Sequence, residues 1–136
     1  MGAKIKIFVK WKKLIKKIEN ANIKSLGHAA RYIRTVARNS IKPQAAKGKK
    51  PQPAKPGYPA RTKRGQLRKS ILYALVENKE IAVIGASHGV MGRSAKPHEH
   101  GGNYKGFNYE ARPFMVPALE QNLHRLPKFW GNSLRR

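Results

Sequence analysis

The apolar positions of this chain follow two different periods. Residues 3–9 place isoleucine or valine at every second position, a period that predicts a short strand with one apolar face. From residue 11 to residue 40 the apolar positions recur every three or four residues, which predicts a long amphipathic helix. Pro43 predicts the end of this helix, because the residue before a proline avoids the helical region. The predicted apolar stripe comprises Leu14, Ile15, Ile18, Asn22, Leu26, Ala29, Ile33, Val36 and Ala37.

A strand-like period returns after residue 66. Residues 67–77 alternate with period two and predict a strand, and residues 81–86 predict a second strand. Asn78 and Lys79 lie between them and predict a turn. The two strands are therefore expected to pair as an antiparallel hairpin.

The next segment predicts less regular structure. We expect residues 87–97 to form a loop and residues 98–101 to add a short third strand. Gly101 and Gly102 predict a turn after this strand, because glycine reaches positive φ without steric cost.

The C-terminal part predicts a helix. Pro113 lies near its start, where the missing N–H of proline costs little, and Pro127 is expected to interrupt it before a last short helix. We expect Phe114 and Leu119 to lie in the core and to fix this helix to the sheet. The chain is thus predicted to be one α+β domain, residues 1–136. A long N-terminal helix packs on a small antiparallel β-sheet, and a long loop and a C-terminal helix complete it.

Residues 42–66 predict an extended basic, proline-rich loop with five prolines, eight Lys or Arg and no acid. A loop of this length in a small domain is either functional or a solvated linker. We expect a docking arm that is mobile in the free protein and becomes ordered against a neighbouring subunit or partner. Within the loop, the candidates for an interface or a polyanion-binding site are Lys47, Lys49, Lys50, Lys55, Tyr58, Arg61, Lys63 and Arg64.

The charge of the chain is extreme and uneven. Thirty Lys or Arg oppose six acids, which gives a formal net charge of +24. Residues 1–70 hold 21 of these basic residues and a single acid, Glu19. Such a surface attracts polyanions, and it also repels other copies of the chain.

Little in the sequence favours catalysis. The chain has no cysteine, which excludes disulfides and thiolate chemistry. His98, Glu99 and His100 form a local cluster of metal-ligand residue types, but the two histidines fall short of the three or four ligands of a zinc site. No phosphate-binding or dinucleotide-binding glycine pattern is present. We therefore expect a protein that is not an enzyme and that uses no cofactor or metal.

Five short motifs follow one another between residues 56 and 119. They are Pro56-Gly57, Thr62 through Gly65-Gln66-Leu67 to Ser70-Ile71, Ile84-Gly85, His98 to Gly102, and Arg112 to Leu119. In this order they resemble the small neck and tail-completion proteins of tailed bacteriophages, often called minor tail or head–tail joining proteins. The positions singled out as its structural motif are Gly65, Leu67, Ser70, Gly101, Gly102, Arg112, Pro113 and Phe114.

This resemblance implies a structural virion protein. It would form a homo-oligomeric ring of six or twelve subunits at the head–tail junction or the tail end. Its partners would be other neck, connector or tail-tube proteins, with passing contact to DNA and none to a membrane. It would be assembled in the host cytoplasm and reside in the virion.

Two other classes of function stay open on the sequence alone. The charge suits a nucleic-acid-binding basic protein, although no RNP, KH or zinc-finger signature is present. Residues 5–18 also have the pattern of a cationic amphipathic membrane binder, although we expect their apolar side to pack on the hairpin. The apolar runs are far shorter than the ~20 residues that a membrane span needs.

Overall fold

The architecture is α+β, as the sequence predicts. A computed structural model of the chain describes residues 11–44, 48, 50, 52–76, 78 and 80–133. Within these residues a long N-terminal helix is followed by two antiparallel two-stranded sheets and a C-terminal helical region. The strand predicted for residues 3–9 lies outside the described residues, as do Lys47 and Lys49.

Helix α1 spans Trp11–Ser40, the bounds that the hydrophobic period predicts. The second half of its apolar stripe is buried, including Ala29, Ile33 and Ala37. Asn22 is the polar member of the stripe, and its Oδ1 accepts a hydrogen bond from the Trp130 Nε1–H at 2.8 Å. This bond explains a polar residue at a stripe position, because it joins α1 to the C-terminal region.

Strands β1 (Ile71–Val76) and β2 (Ile81–Ala86) form the predicted antiparallel hairpin, which packs on α1. At Gly27 an added Cβ would lie 3.4 Å from Leu75 Cδ1, so the missing side chain lets β1 approach the helix closely. The Arg34 Nε–H donates to the carbonyl of Ile71 at 2.8 Å. The helix and the hairpin are therefore joined by both packing and a hydrogen bond.

The prediction of a strand beginning at Leu67 is wrong for its first four residues. Gln66–Ser70 is a short helix, α2, and the strand begins only at Ile71. Gly65 precedes α2 with φ 74°, a left-handed conformation that favours glycine. Leu67, Ser70 and Ile71 are all buried, and the 67-to-70 step is the three-residue step of a helix face. The Ser70 hydroxyl donates to the Leu67 carbonyl at 2.7 Å, which satisfies a buried polar group.

Residues 88–100 are helical, so the loop predicted for 87–97 and the strand predicted for 98–101 are both wrong. Helix α3 (His88–Met91), a 3₁₀ turn and helix α4 (Ala95–His100) follow one another. Pro97 lies in the first turn of α4, where backbone N–H groups have no acceptor within the helix. Elements of four to six residues are too short to show a helical period in the sequence.

A second hairpin follows α4, formed by β3 (Gly102–Tyr104) and β4 (Phe107–Tyr109). The sequence does not predict this hairpin, whose turn lies at Lys105 and Gly106, both of which have positive φ. Gly101 and Gly102 have the positive φ that the sequence predicts, but they connect α4 to β3. Gly101 ends α4, and a Cβ there would lie 3.1 Å from the backbone of Tyr109 and Ala111. A larger residue at 101 would therefore separate α4 from the second hairpin.

The C-terminal region is helical but differs from the prediction in two respects. Helix α5 spans Met115–Glu120, and a 3₁₀ helix, Leu123–Phe129, contains Pro127 without interruption. Leu119 is 42% exposed, so its predicted place in the core is wrong. Phe114 is 2% exposed, which confirms the prediction for that residue. Phe114 and Ala118 are four residues apart and share the buried side, whereas Leu119 is turned away from it.

The core joins α1 to the loop, α2, β1 and the start of the C-terminal helix. Ile41 directly follows α1 and Phe114 directly precedes α5, and the cluster comprises Ala37, Ile41, Ala60, Leu67, Ile71, Phe114 and Ala118. Because the set is small and includes three alanines, much apolar surface is left uncovered. That uncovered surface is described below.

Candidate interaction surfaces

The described base of the proline-rich loop is fixed to the body of the protein. Ala54, Ala60 and Thr62 are buried. The Arg112 Nε–H donates to the carbonyl of Ala54 at 2.7 Å. The expectation that the whole loop is mobile is therefore wrong for residues 54–62.

Arg112 connects the loop to α4 and to the start of the C-terminal helix. Its backbone N–H donates to the His98 carbonyl at 2.7 Å, and its Nη2 lies 3.4 Å from Glu110 Oε2. Pro113 and Phe114 follow directly, so a bond to Arg112 also sets where Phe114 enters the core. The Arg-Pro-Phe motif is thus a structural junction.

Glu99 holds the beginning of α5. Its carboxylate accepts the backbone N–H of Phe114 at 2.9 Å, of Met115 at 3.1 and 3.2 Å, and of Val116 at 2.9 Å. The first N–H groups of a helix have no partner inside it, so a carboxylate from α4 supplies the missing acceptor. Sequence reasoning placed Glu99 on a strand and missed this role, because the contact spans 15 to 17 residues.

His98 is a partly buried titratable group beside this junction. Its Nδ1 is buried without a hydrogen-bond partner among the described residues. Its ring packs edge-on against the ring of Tyr109, with the two ring centroids 5.6 Å apart. Burial, and then the nearby Arg112 guanidinium, lower the pKa of His98 below its ordinary value. Both causes favour the neutral imidazole. Within the described residues no group of three or more His, Asp or Glu side chains could hold a metal ion.

The basic candidates predicted from the sequence border two adjoining clefts near the C-terminal end of α1. The first is lined by Ser40, Lys42, Ala54, Lys55, Tyr58, Pro59 and Arg61. The second is lined by Gln44, Arg61, Thr62, Lys63, Arg64, Gln66, Leu67, Met91 and His98. Arg61 belongs to both, and none of the described residues that line them carries a carboxylate. Lys50 is exposed but lines neither cleft.

An open apolar groove of about 380 Å³ lies elsewhere on the molecule. Every residue that lines it is apolar, and the walls come from α1, β2, α5 and the C-terminal region. Leu26 and Ile33 of α1 contribute to it, as do Ile84 of β2, Leu119 of α5 and Trp130. The groove explains why Leu119 is exposed. No local pattern of residues predicts this groove, because it exists only where four separate elements meet.

The first turns of α1 extend beyond the body of the protein. Residues 11–20 are all exposed, and at about 1.5 Å per residue they form an overhang about 15 Å long. The overhang carries an uncovered apolar stripe, and Trp11 is its most exposed member at 65%. The expectation that this apolar side packs on the hairpin is wrong for residues 11–18. We call Trp11, Leu14, Ile15 and Ile18 the α1 stripe.

The outer face of the first hairpin is also apolar and exposed. Leu72 and Val76 of β1 and Ile81 and Val83 of β2 lie on it. Uncovered apolar patches of this kind mark interaction surfaces when they are contiguous. The protein thus presents an apolar groove, an apolar helix stripe and an apolar sheet face, beside a basic pair of clefts.

The chain matches no protein-family model, no curated protein and no solved structure. Within the described residues, no helix combines the length and apolar character that crossing a bilayer requires.

Proposed function

We propose that this chain is a structural virion protein that forms a ring at the head–tail junction or the tail end of a tailed bacteriophage, acting through subunit contacts. The order of motifs between residues 56 and 119 supports this class of protein. The observation that carries the proposal is the pairing of an uncovered apolar groove with an uncovered apolar stripe on the same chain.

The α1 stripe cannot fill the groove of its own chain. Ile15 and Ile33 are 18 residues apart on one continuous helix, which places them about 27 Å apart. Eighteen residues are five full helical turns, so both residues lie on the same face of α1. The stripe is therefore available to the groove of a second copy of the chain.

Such a contact joins two different surfaces of the chain. The copy that contributes the stripe keeps its own groove open for the next copy. Head-to-tail contacts of this type form closed rings when the rotation between copies closes. One pairing of opposite charges across the contact is also available. Exposed Lys12 and Lys16 flank the stripe, while exposed Glu120 directly follows the groove residue Leu119.

A nucleic-acid-binding protein is the second candidate, because the part of the chain that the structure describes contributes cations and no carboxylate to the two basic clefts. Salt separates the two functions. Apolar contacts between highly positive subunits strengthen as salt screens their mutual repulsion. Phosphate contacts weaken steeply as salt rises, because bound counterions are released.

We expect the purified protein to form particles of uniform size at about 0.5 M salt and smaller species at about 0.1 M salt, because screening reduces subunit repulsion. The double variant Ile15→Gln, Ile18→Gln should stay monomeric at both salt concentrations. Both residues are exposed, so the fold should be unchanged. Light scattering after size exclusion measures the mass, negative-stain images show whether rings form, and circular dichroism checks the fold.

Val83→Gln is the matched control, since Val83 is an exposed apolar residue outside the stripe and the groove. It should assemble like the wild type. The proposal is contradicted if the wild-type protein is monomeric at both salt concentrations. It is also contradicted if the double variant assembles normally, or if only Val83→Gln prevents assembly.

A further inference from the structure

The two basic clefts are a second interaction surface that the apolar subunit contact does not use. We propose that they bind the phosphodiester backbone of a nucleic-acid strand. Five cationic side chains line them, and no lining residue is shared with the apolar groove. These five cations are Lys42, Lys55, Arg61, Lys63 and Arg64.

The backbone around these cations is held in place by hydrogen bonds. The Thr62 N–H donates to the Lys42 carbonyl and the Gln44 N–H donates to the Thr62 carbonyl, both at 3.0 Å. This two-bond bridge fixes Lys42 beside the segment that carries Arg61 and Lys63. A fixed backbone reduces the conformational entropy that is lost when its side chains bind a ligand.

The opposite wall of the first cleft is fixed as well. The Tyr58 N–H donates to the Lys55 carbonyl at 3.2 Å across a turn in which Gly57 has φ 78°. The Gly57 N–H donates to the Ala111 carbonyl at 2.9 Å and fastens the turn to the body. Lys55 and Tyr58 are thereby presented at the two ends of one anchored turn.

No carboxylate among the described residues forms an ion pair with the cations of the clefts. The five cations are all exposed, and the ion pair found among the described residues joins Arg112 to Glu110 and includes none of the five. Each positive side chain is therefore available to a phosphate. Arginines are suited to this role because a guanidinium can donate two parallel hydrogen bonds to one phosphate.

Tyr58 favours a nucleic acid over an acidic protein as the ligand. Its ring is 65% exposed although it lines a cleft with three cations. An exposed aromatic ring beside cations offers one surface for a base and another for its phosphate. A run of carboxylates would use the cations but not the ring. A single strand can stack its unpaired bases on Tyr58. A duplex keeps its base faces stacked inside and presents only its backbone and the base edges in its grooves.

We expect a fluorescein-labelled DNA strand of about 20 nucleotides to bind with a slope of about −3.5 for the logarithm of the binding constant against the logarithm of the salt concentration, if all five cations contact phosphates. The duplex of this strand should give a slope of about −4.5. The triple variant Arg61→Gln, Lys63→Gln, Arg64→Gln should reduce the slope on the duplex by about 2.7 and weaken binding at least about tenfold at 0.1 M salt. Tyr58→Ala should weaken binding of the single strand and leave the duplex unchanged. Fluorescence anisotropy over a salt series measures all of these.

The control variant Lys24→Gln, Lys96→Gln, Lys128→Gln removes the same charge from exposed lysines that line neither cleft. It should bind nearly as well as the wild type. Equal losses in the two triple variants would overturn the proposal, since binding would then be a diffuse effect of net charge. Tighter binding of polyglutamate than of either DNA would also overturn it and assign the clefts to an acidic protein. Assembly at high salt is measured separately, so failure here does not alter the result for the subunit contact.

Discussion

Phe114→Ala should lower the free energy of unfolding by about 3–5 kcal/mol, the range seen when a large buried aromatic side chain is removed. Phe114 is 2% exposed and is among the largest fully buried side chains of the described residues. Three of the six other residues in its core cluster are alanines, whose side chains are too short to refill the space that Phe114 leaves. Urea denaturation at low salt and low protein concentration measures the change.

Leu119→Ala is the matched control for this substitution. Leu119 lies five positions away and is 42% exposed, so its loss should cost less than about 1 kcal/mol. A cost below about 1 kcal/mol for Phe114→Ala would mean that Phe114 is not in the core. A large cost for Leu119→Ala would mean that the groove is closed in the free protein.

Glu99→Ala should destabilise the protein by about 2–3 kcal/mol, because three backbone N–H groups lose a charged acceptor together. The first of these groups belongs to Phe114, so the loss also loosens the residue that anchors the core. Glu99→Gln keeps one side-chain oxygen as an acceptor and should be intermediate. The same urea titration measures both variants.

Glu120→Ala provides the control for the loss of one negative charge. Glu120 is exposed at the other end of α5, and its replacement should change the stability by less than about 0.5 kcal/mol. If Glu99→Ala is as mild as Glu120→Ala, the carboxylate does not hold the start of α5. An effect of Glu99→Gln equal to that of Glu99→Ala would assign the contribution to charge alone.

The long elements of this fold could be predicted from the sequence because their periods persist. The 30 residues of α1 repeat the apolar stripe over many turns, and the strands of the first hairpin alternate clearly. The sequence predicts strands for most of α2 and for the second half of α4, because five or six residues carry too little periodic signal. The alternation of Leu67, Lys69 and Ile71 across the end of α2 resembles that of a strand, although the buried Ser70 indicates the helix.

The candidate surfaces also differ in how far they can be predicted from the sequence. The cations around Arg61 could be identified in the sequence because they are close together in it, and the structure brings four of them, Lys55, Arg61, Lys63 and Arg64, to two adjoining clefts. The fifth cation, Lys42, was not predicted, because it reaches the clefts from the other end of the loop. The apolar groove and the role of Glu99 depend on elements far apart in the chain. No local pattern reveals such contacts. They become visible only when α1, β2 and α5 are packed together.

In the proposed ring, the α1 stripe of one copy lies in the apolar groove of the next. The chain has no cysteine, so a pair of introduced cysteines reports on one contact without interference. One preparation carries Ile15→Cys and a second, distinguished by a mass tag, carries Leu119→Cys. A disulfide forms only when the two Cα atoms come within about 7 Å of each other.

The two preparations are mixed at high salt, oxidised and separated on a non-reducing gel, and a parallel mixture replaces Leu119→Cys with Val83→Cys. We expect a mixed disulfide dimer between positions 15 and 119 and little between positions 15 and 83. A dimer that joins position 15 only to itself or to position 83, or no dimer at all while the protein is assembled, would contradict the proposed contact between stripe and groove.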